Sequence, residues 1–394
     1  MNRVHSLVQS RQDWIVTHRR WLHAHPELSH QETQSATYIA SVLRSLGLEV
    51  HENVGSRGVT ALIEGAKPGK CVALRADFDA LPIQEPNSDL PYCSQNPGVM
   101  HACGHDTHAA MLLGAAAVLN ELRGEFSGSV KLIFQPAEED VLHSGARELI
   151  ADGVLENPRV DAIFAQHVWP HDTVGQAAVK SGAMMAASDR FSITIHGKNS
   201  HGSAPENGID AIVIAAQVVT ALQSIVSRNV GPLESAVLTI GTVHGGQRYN
   251  VIADTVQLEG TCRTLDPAVR KRIPVRMEAI IRGVTEGMGG SYDFRFTNCY
   301  GPSLNDPAEF ERMKKAIVET LGEEGLVIPE SSALTSEDFA FYCERIPGCL
   351  FWLGVREPDA PFFPLHSSNF LPSERALTNG AEILCRAALN YLSE

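Results

Sequence analysis

The nonapeptide Met100–His108, MHACGHDTH, puts three imidazoles, a thiol and a carboxyl group directly ahead of an oily stretch, AAMLLGAAAVL. A loop that needed only polarity would draw on Ser, Asn or Asp. A thiol set between imidazoles suits a borderline divalent ion such as zinc, with manganese, cobalt or nickel as alternatives.

Three apolar runs elsewhere end in the same chemistry. LRADFD ends in Asp77 and Asp79, LIFQPAEE in Glu138 and Glu139, and IFAQHVW contains His167. Taken singly, each has an ordinary explanation: a capped turn before Pro82, a solvated loop, a hydrogen-bonded structural histidine. Taken together they look different, because ligands of open α/β sheets bind outside the carboxyl ends of the strands. One tetrahedral ion needs three or four ligands, and at least five donors compete here. Two ions about 3.5–4 Å apart, sharing a bridging ligand, would use them and could both activate a water and polarise a carbonyl. Of the adjacent glutamates, one would bind metal while the other stays free to take a proton from water and pass it to a leaving amine.

The surrounding elements must bring these groups to one rim. RQDWIVTHRRWLHAH and SATYIASVLRSLGLEV have helical spacing, the latter ending near Gly47, and HAAMLLGAAAVLNEL is a third helix. CVALRADFD, SVKLIFQPAEE and DAIFAQHVWP each begin as an apolar strand. This alternation predicts an α/β domain with a mainly parallel central sheet. From about residue 180 the pattern changes. RFSITIHG, NGIDAIVIAAQVVTALQSIVSR, AVLTIGTVHGG, DTVQLEGTCRTL, DPAVRKRIPVRMEAIIRGVTEG and SYDFRFTN read in order as β-α-β-β-α-β, a ferredoxin-like α+β arrangement. The last hundred residues return to mixed α/β, with GCLFWLGV as a strand. The predicted organisation is a catalytic domain in two segments, 1–179 and 298–394, interrupted by an inserted domain over 180–297.

At 394 residues the chain is long enough for two or three domains. Its formal net charge of −14 argues against a nucleic-acid partner. No uninterrupted apolar run of membrane-spanning length and no apolar leader is read, so a soluble, cytoplasmic protein is expected, with no membrane partner. The eight cysteines stand singly with no CxxC pair, as in a reducing compartment.

MHACGHDTHAAMLLGAA, RADFDALP, FQPAEE, the early RRWLHAHPELSHQE and the late PLHSSNF together resemble the Cys-containing amidohydrolase branch of the dinuclear zinc-peptidase superfamily. That branch includes hippurate hydrolase, N-acyl-amino-acid amidohydrolases and auxin-conjugate hydrolases. The resemblance runs from about residue 14 to 390. It implies a zinc-exopeptidase-like catalytic domain with an inserted ferredoxin-like lid and dimerisation domain. It implies two divalent metal ions per subunit, held by Cys103, His105, Glu139, His167 and His366 with Cys103 as the bridge, and Glu138 as general base. Asp79 matches the aspartate that orients a ligand histidine in the wider superfamily, whose preceding histidine is replaced here by Asp77. HGKNSHGSAP resembles the stretch whose histidine, His201 here, reaches a neighbouring subunit's site and stabilises the oxyanion. Asn250 and Arg263 fall where relatives bind the substrate carboxylate, a role for which a guanidinium is well shaped. His101 and His108 flank the ligands as supports.

The expected activity is metal-dependent hydrolysis of N-acyl amino acids to a carboxylic acid and a free amino acid, in a homodimer or higher homo-oligomer formed through the lid. A dipeptidase or metallocarboxypeptidase on the same scaffold is the alternative. A metal-free Cys103 nucleophile would need neither the Glu pair nor His366, and a non-catalytic binding protein would not need Glu138.

Overall fold

The computed structural model describes residues 2–394, which divide into two units. The first comprises residues 2–184, Leu304–Ser331 and Asp338–Glu394. The second comprises Met185–Ser303 and Ser332–Glu337.

The first unit is built on an eight-stranded sheet in the order Val50–Val54, Gly58–Glu64, Ser127–Gln135, Lys67–Asp77, Ala162–Thr173, Gly348–Arg356, Ala177–Ala178, Leu326–Val327. The four central strands run parallel, and the first two are joined on antiparallel. Residues 71–77 are buried without a break. Such a continuous run, in place of alternation, marks a strand covered on both faces. The helix His105–Glu121 is buried at every position from His105 to Leu119, as a helix apolar all round must be. Its alanines and Gly114 let neighbours approach closely: a Cβ on Gly114 would lie 2.6 Å from Ile15 Cδ1. Leu377–Leu392 and Gln12–Ala24 pack against this helix, and with the sheet they form one core that includes Ile15, Leu74, Met111, Phe164, Phe351 and Leu384.

One sequence expectation needs correction. The strand carrying His167 does not end at Trp169-Pro170 but continues to Thr173, because Arg356 pairs with Thr173 beyond a register shift. His167 therefore projects from within a strand, opposite Trp352.

The second unit is a four-stranded antiparallel sheet in the order Ala236–Gly245, Thr255–Thr264, Ala187–His196, Ser291–Tyr300. In chain order its strands stand 2-3-1-4, the ferredoxin-like arrangement. Phe191, Ile193, Ile195 and Leu258 from the sheet share a core with Ile214, Val218 and Leu222 of the helix Ala211–Asn229 and with Ile273, Met277 and Ile281 of the helix Pro267–Gly287. Asp210 and Asp266 cap these helices, each accepting two backbone N–H groups, and Pro267 occupies the first turn. Ala211–Asn229 is apolar and long enough to cross a bilayer by length and composition, which sequence reading did not anticipate. Its six buried residues form the stripe against the sheet, the signature of a helix on a core.

Candidate active site

The parallel strands deliver their chemistry to one place. Cys103, His105 and His167 have donor atoms all within 4.8 Å of one another, as do Cys103, Glu139 and His366, and His105, Glu138 and Glu139. Shared members join these sets into one cluster of six residues from four stretches of the first unit. A further set, Asp77, His105 and His108, adjoins it.

Local backbone explains the convergence. Gly104 has φ +92°, and a Cβ there would lie 2.5 Å from Val168 Cγ2 and 3.3 Å from Phe370 Cε1. Only glycine lets Cys103 and His105 flank so tight a turn against the His167 strand. His366 comes from the late loop, which is anchored to the motif by the His366 N–H donating to Ala102 O at 2.8 Å. His366 itself has φ +64° and Ala137, just before the glutamate pair, φ +52°. Both lie in a region that costs a residue with a Cβ about 1–2 kcal/mol.

Hydrogen bonds fix the histidine tautomers. His105 Nδ1 donates to Asp79 O and Oδ1, both at 3.0 Å, so its lone pair sits on Nε2, which is buried without a hydrogen-bond partner. His167 Nδ1 donates to Val168 O at 2.7 Å, which leaves Nε2 facing Cys103 Sγ at 3.4 Å. His108 Nε2 accepts the Val168 N–H at 2.9 Å, so its Nδ1 donates to Asp77 Oδ1 at 2.5 Å. His366 Nε2 lies 3.1 Å from Glu139 Oε1. Asp79 Oδ2 takes the Glu139 N–H at 3.0 Å and the Ser29 hydroxyl at 2.8 Å. Asp77 and Asp79 thus each hold one histidine of the motif. His101 is buried, has neither ring nitrogen hydrogen-bonded, and has its pKa pushed down to about 4 by burial.

The electrostatics describe a site crowded with negative and proton-binding groups. Burial and then the Glu139 charge push the Cys103 thiol up. Cys103 and Glu139 raise His366 to about 10 against the effect of burial. Burial also opposes a proton on His105, yet the charges of Asp77 and Cys103 outweigh it and hold that imidazole well above its usual range. Burial, then His108 and His105, hold His167 well below. Protons on His366, His105 and Cys103 offset negative charge that cations would neutralise more fully, and a cation at His105 would take the place of the proton on Nε2, leaving its lone pair to the metal. The thiol, the carboxylate and the two buried imidazole lone pairs are the donor set that divalent ions of borderline softness take.

Glu138 is buried, and its Oε1 accepts the Asp338 N–H at 3.3 Å. The Asp338 carboxylate takes Arg75 Nη2 at 2.7 Å, Ser144 Oγ at 2.7 Å and Gln135 Nε2 at 2.8 Å. Arg75 also donates to Asp77 Oδ2 at 2.7 Å. The sequence assigns no role to Arg75, Asp338 or Ser29: Arg75 and Ser29 stand inside RADFDALP and RRWLHAHPELSHQE, yet the partners that define them come from elsewhere in the fold.

His201, Asn250 and Arg263 lie in the second unit. His201 is exposed, with Nδ1 2.6 Å from Ser203 Oγ, and pairs across a two-residue bridge with Val251, next to Asn250. Arg263 pairs with Ser188, whereas Thr255, at the start of the same strand, pairs with His196. Eight residues of antiparallel strand span about 27 Å, so Arg263 stands at the other end of the sheet from the His201–Asn250 corner.

The model of peptidase family M20/M25/M40 matches residues 73–390. An N-acyl-L-amino acid amidohydrolase of Geobacillus stearothermophilus is 46% identical over 291 residues, 74% of this chain and 78% of that one. Thermostable carboxypeptidase 1 of Saccharolobus solfataricus is 40% identical over 377 residues, 95% and 94% of the two chains. Among solved structures, a Bacillus subtilis dinuclear metal-binding peptidase of the M20 family superposes with TM-score 0.86 at 36% identity, covering 98% of this chain and 99% of that one.

Proposed function

The chain belongs to peptidase family M20/M25/M40, and we propose that it is the hydrolase that cleaves the amide bond of N-acyl amino acids, releasing a carboxylic acid and a free amino acid. The observation that carries this reading is the junction of five metal-type ligands with a second buried glutamate, Glu138. The amidohydrolase relative supports the substrate class.

Cys103, His105, Glu139, His167 and His366 would hold two divalent cations. The dinuclear relative supports that number, and the ligand types favour zinc, with manganese, cobalt or nickel as alternatives. Two such ions supply a water of lowered pKa and a polarised acyl carbonyl. Glu138 takes the proton of the attacking water and returns it to the departing amine. The Asp338 N–H steadies Glu138 for both transfers, while Asp79 and the Val168 carbonyl keep His105 and His167 in the ligating tautomer.

The second unit serves as a lid. Arg263 and Asn250 bind the substrate carboxylate, and His201 stabilises the oxyanion. Because Arg263 and the His201–Asn250 corner lie at opposite ends of the sheet, one lid cannot bring them all to one small substrate, and a second copy completes the site. The unpaired edge strand Ala236–Gly245 and the exposed Ile212, Val213, Val243 and Val251 offer the surface for such a homodimer. The eight cysteines, spaced singly along the sequence, fit a reducing, cytoplasmic setting.

Glu138→Gln tests the assignment. Turnover of N-acetyl and N-benzoyl amino acids should fall by about 10²–10⁴-fold with bound metal retained, and undiminished turnover refutes it. The carboxypeptidase relative favours a second reading, cleavage of peptide bonds. Faster hydrolysis of free-amine dipeptides than of N-acyl amino acids would select it.

A further inference from the structure

Side chains that follow one another on extended backbone point to opposite sides. Glu138 and Glu139 do not: both bring a donor atom within 4.8 Å of that of His105. The pair lies on a bend just beyond the strand Ser127–Gln135, and the left-handed Ala137 immediately before it (φ +52°) re-aims the chain that carries both glutamates. Alanine does not choose that conformation unaided, so other groups must impose it.

Those groups are at hand. The Ala137 N–H donates to Glu32 Oε1 at 2.8 Å, and the Ala137 carbonyl accepts the Gly145 N–H at 3.0 Å. Glu32 is fully buried and comes from the turn Ser29–Glu32. The same turn supplies Ser29, which bonds the Asp79 oxygen that takes the Glu139 N–H. The amides on either side of Glu138 are therefore both held by buried carboxylates, Ala137 by Glu32 and Glu139 by Asp79. Five non-glycine residues in the described chain have positive φ. Two are asparagines, which tolerate it, and the others are His30, Ala137 and His366. Strain of this kind persists where surroundings over-determine it, and it gathers at working sites. Here it gathers at the turn before Glu32, at the glutamate pair and at His366.

We propose that Glu32 is a positioning residue for the Glu138–Glu139 pair, its carboxylate clamping Ala137 in the left-handed conformation that turns both glutamates into the site. The assignment rests on the hydrolase reading above. Burial, followed by the charge of Asp79, pushes Glu32 up to about 8. Protonation does not remove the contact, because one oxygen accepts the Ala137 N–H in either state.

The test uses the full-length, metal-loaded protein with an N-acyl amino acid as substrate. Glu32→Ala should lower kcat about tenfold or more, since small misplacements of reacting groups are costly, with KM changed by less than about threefold. Retention of cations against a chelator should weaken alongside. The discriminating step is Ala137→Gly in the Glu32→Ala background. Glycine adopts the left-handed conformation without a clamp, so at least about a threefold recovery of kcat is expected, which a general loss of packing would not show. Where Glu32→Ala does not fold, Glu32→Leu, of similar bulk and without an acceptor, takes its place. A kcat within about twofold of wild type, or a loss that Ala137→Gly leaves unrepaired, overturns the proposal. Glu138→Gln run in parallel separates the two failures. If it is inactive while Glu32→Ala is unaffected, only the clamp is wrong; if it is fully active, the hydrolase assignment itself falls.

Discussion

Asp79 Oδ1 lies 3.0 Å from His105 Nδ1, and that contact places the free lone pair of His105 on Nε2, among the thiol and carboxylates of the cluster. Burial would raise the Asp79 carboxyl, yet the His105 hydrogen bond and charge hold it below its ordinary range. Replacing Asp79 by Ala frees the ring to rotate or change tautomer and releases the Glu139 N–H as well. Metal affinity should fall about 10–100-fold, read by chelator competition, while the circular dichroism of the folded chain is kept.

Behind the motif, Arg19 Nε lies 2.8 Å from Asp106 Oδ2 with both side chains fully buried, and His23 Nδ1 shares the same oxygen at 2.8 Å. Asp106→Ala would leave the buried Arg19 guanidinium with only the longer Glu374 Oε1 contact at 3.4 Å as counter-charge, at a cost of about 3 kcal/mol in denaturant-induced unfolding. The exposed Arg11–Glu121 pair at 2.5 Å gives the contrast: Arg11→Ala should cost less than about 1 kcal/mol. Equal costs would contradict this account of the buried network.

Glu32 supplies a pH signature. Its pKa, raised to about 8 by burial and Asp79, exceeds the ordinary glutamate value of about 4.3 that the unfolded chain shows. Between those values the native state binds the extra proton. The contribution of Glu32 to stability is therefore complete below the unfolded pKa and is lost as pH rises through about 8. In metal-stripped protein, Glu32→Gln should flatten the decline in melting temperature between about pH 5 and 8.5. A variant whose profile parallels wild type would show that Glu32 titrates normally.

The strand endings were readable because a parallel strand carries its apolar run up to the rim and its chemistry immediately after: Asp77, Asp79, Glu138 and Glu139 all follow that rule. His366 is different. It sits in an irregular loop between Pro361 and Phe370, and only likeness to a family pointed to it. Arg75, Asp338 and Glu32 were not readable, since each gains its meaning from a partner far along the chain: Asp338 lies 263 residues beyond Arg75, and Ala137 lies 105 beyond Glu32. No local periodicity encodes such meetings. The β-α-β-β-α-β pattern was readable from two long amphipathic helices. The association of Ser332–Glu337 with the second unit was not, because six residues without alternation give no signal.

Association through the lid predicts a concentration-dependent dimer. Sedimentation equilibrium should give twice the chain mass, and Val243→Lys, placed on the exposed edge strand, should shift the protein toward monomer and lower turnover together. A fully active monomer would contradict the shared-site reading.

The most direct measurement is the metal content of purified protein, coupled to activity through chelation and reconstitution. Two divalent ions per chain are expected, with loss of turnover on their removal, recovery on their return, and reduced content in Cys103→Ala and His366→Ala. Full turnover after exhaustive chelation, or metal content unchanged in both variants, would contradict the central claim that these side chains form a dinuclear hydrolytic centre.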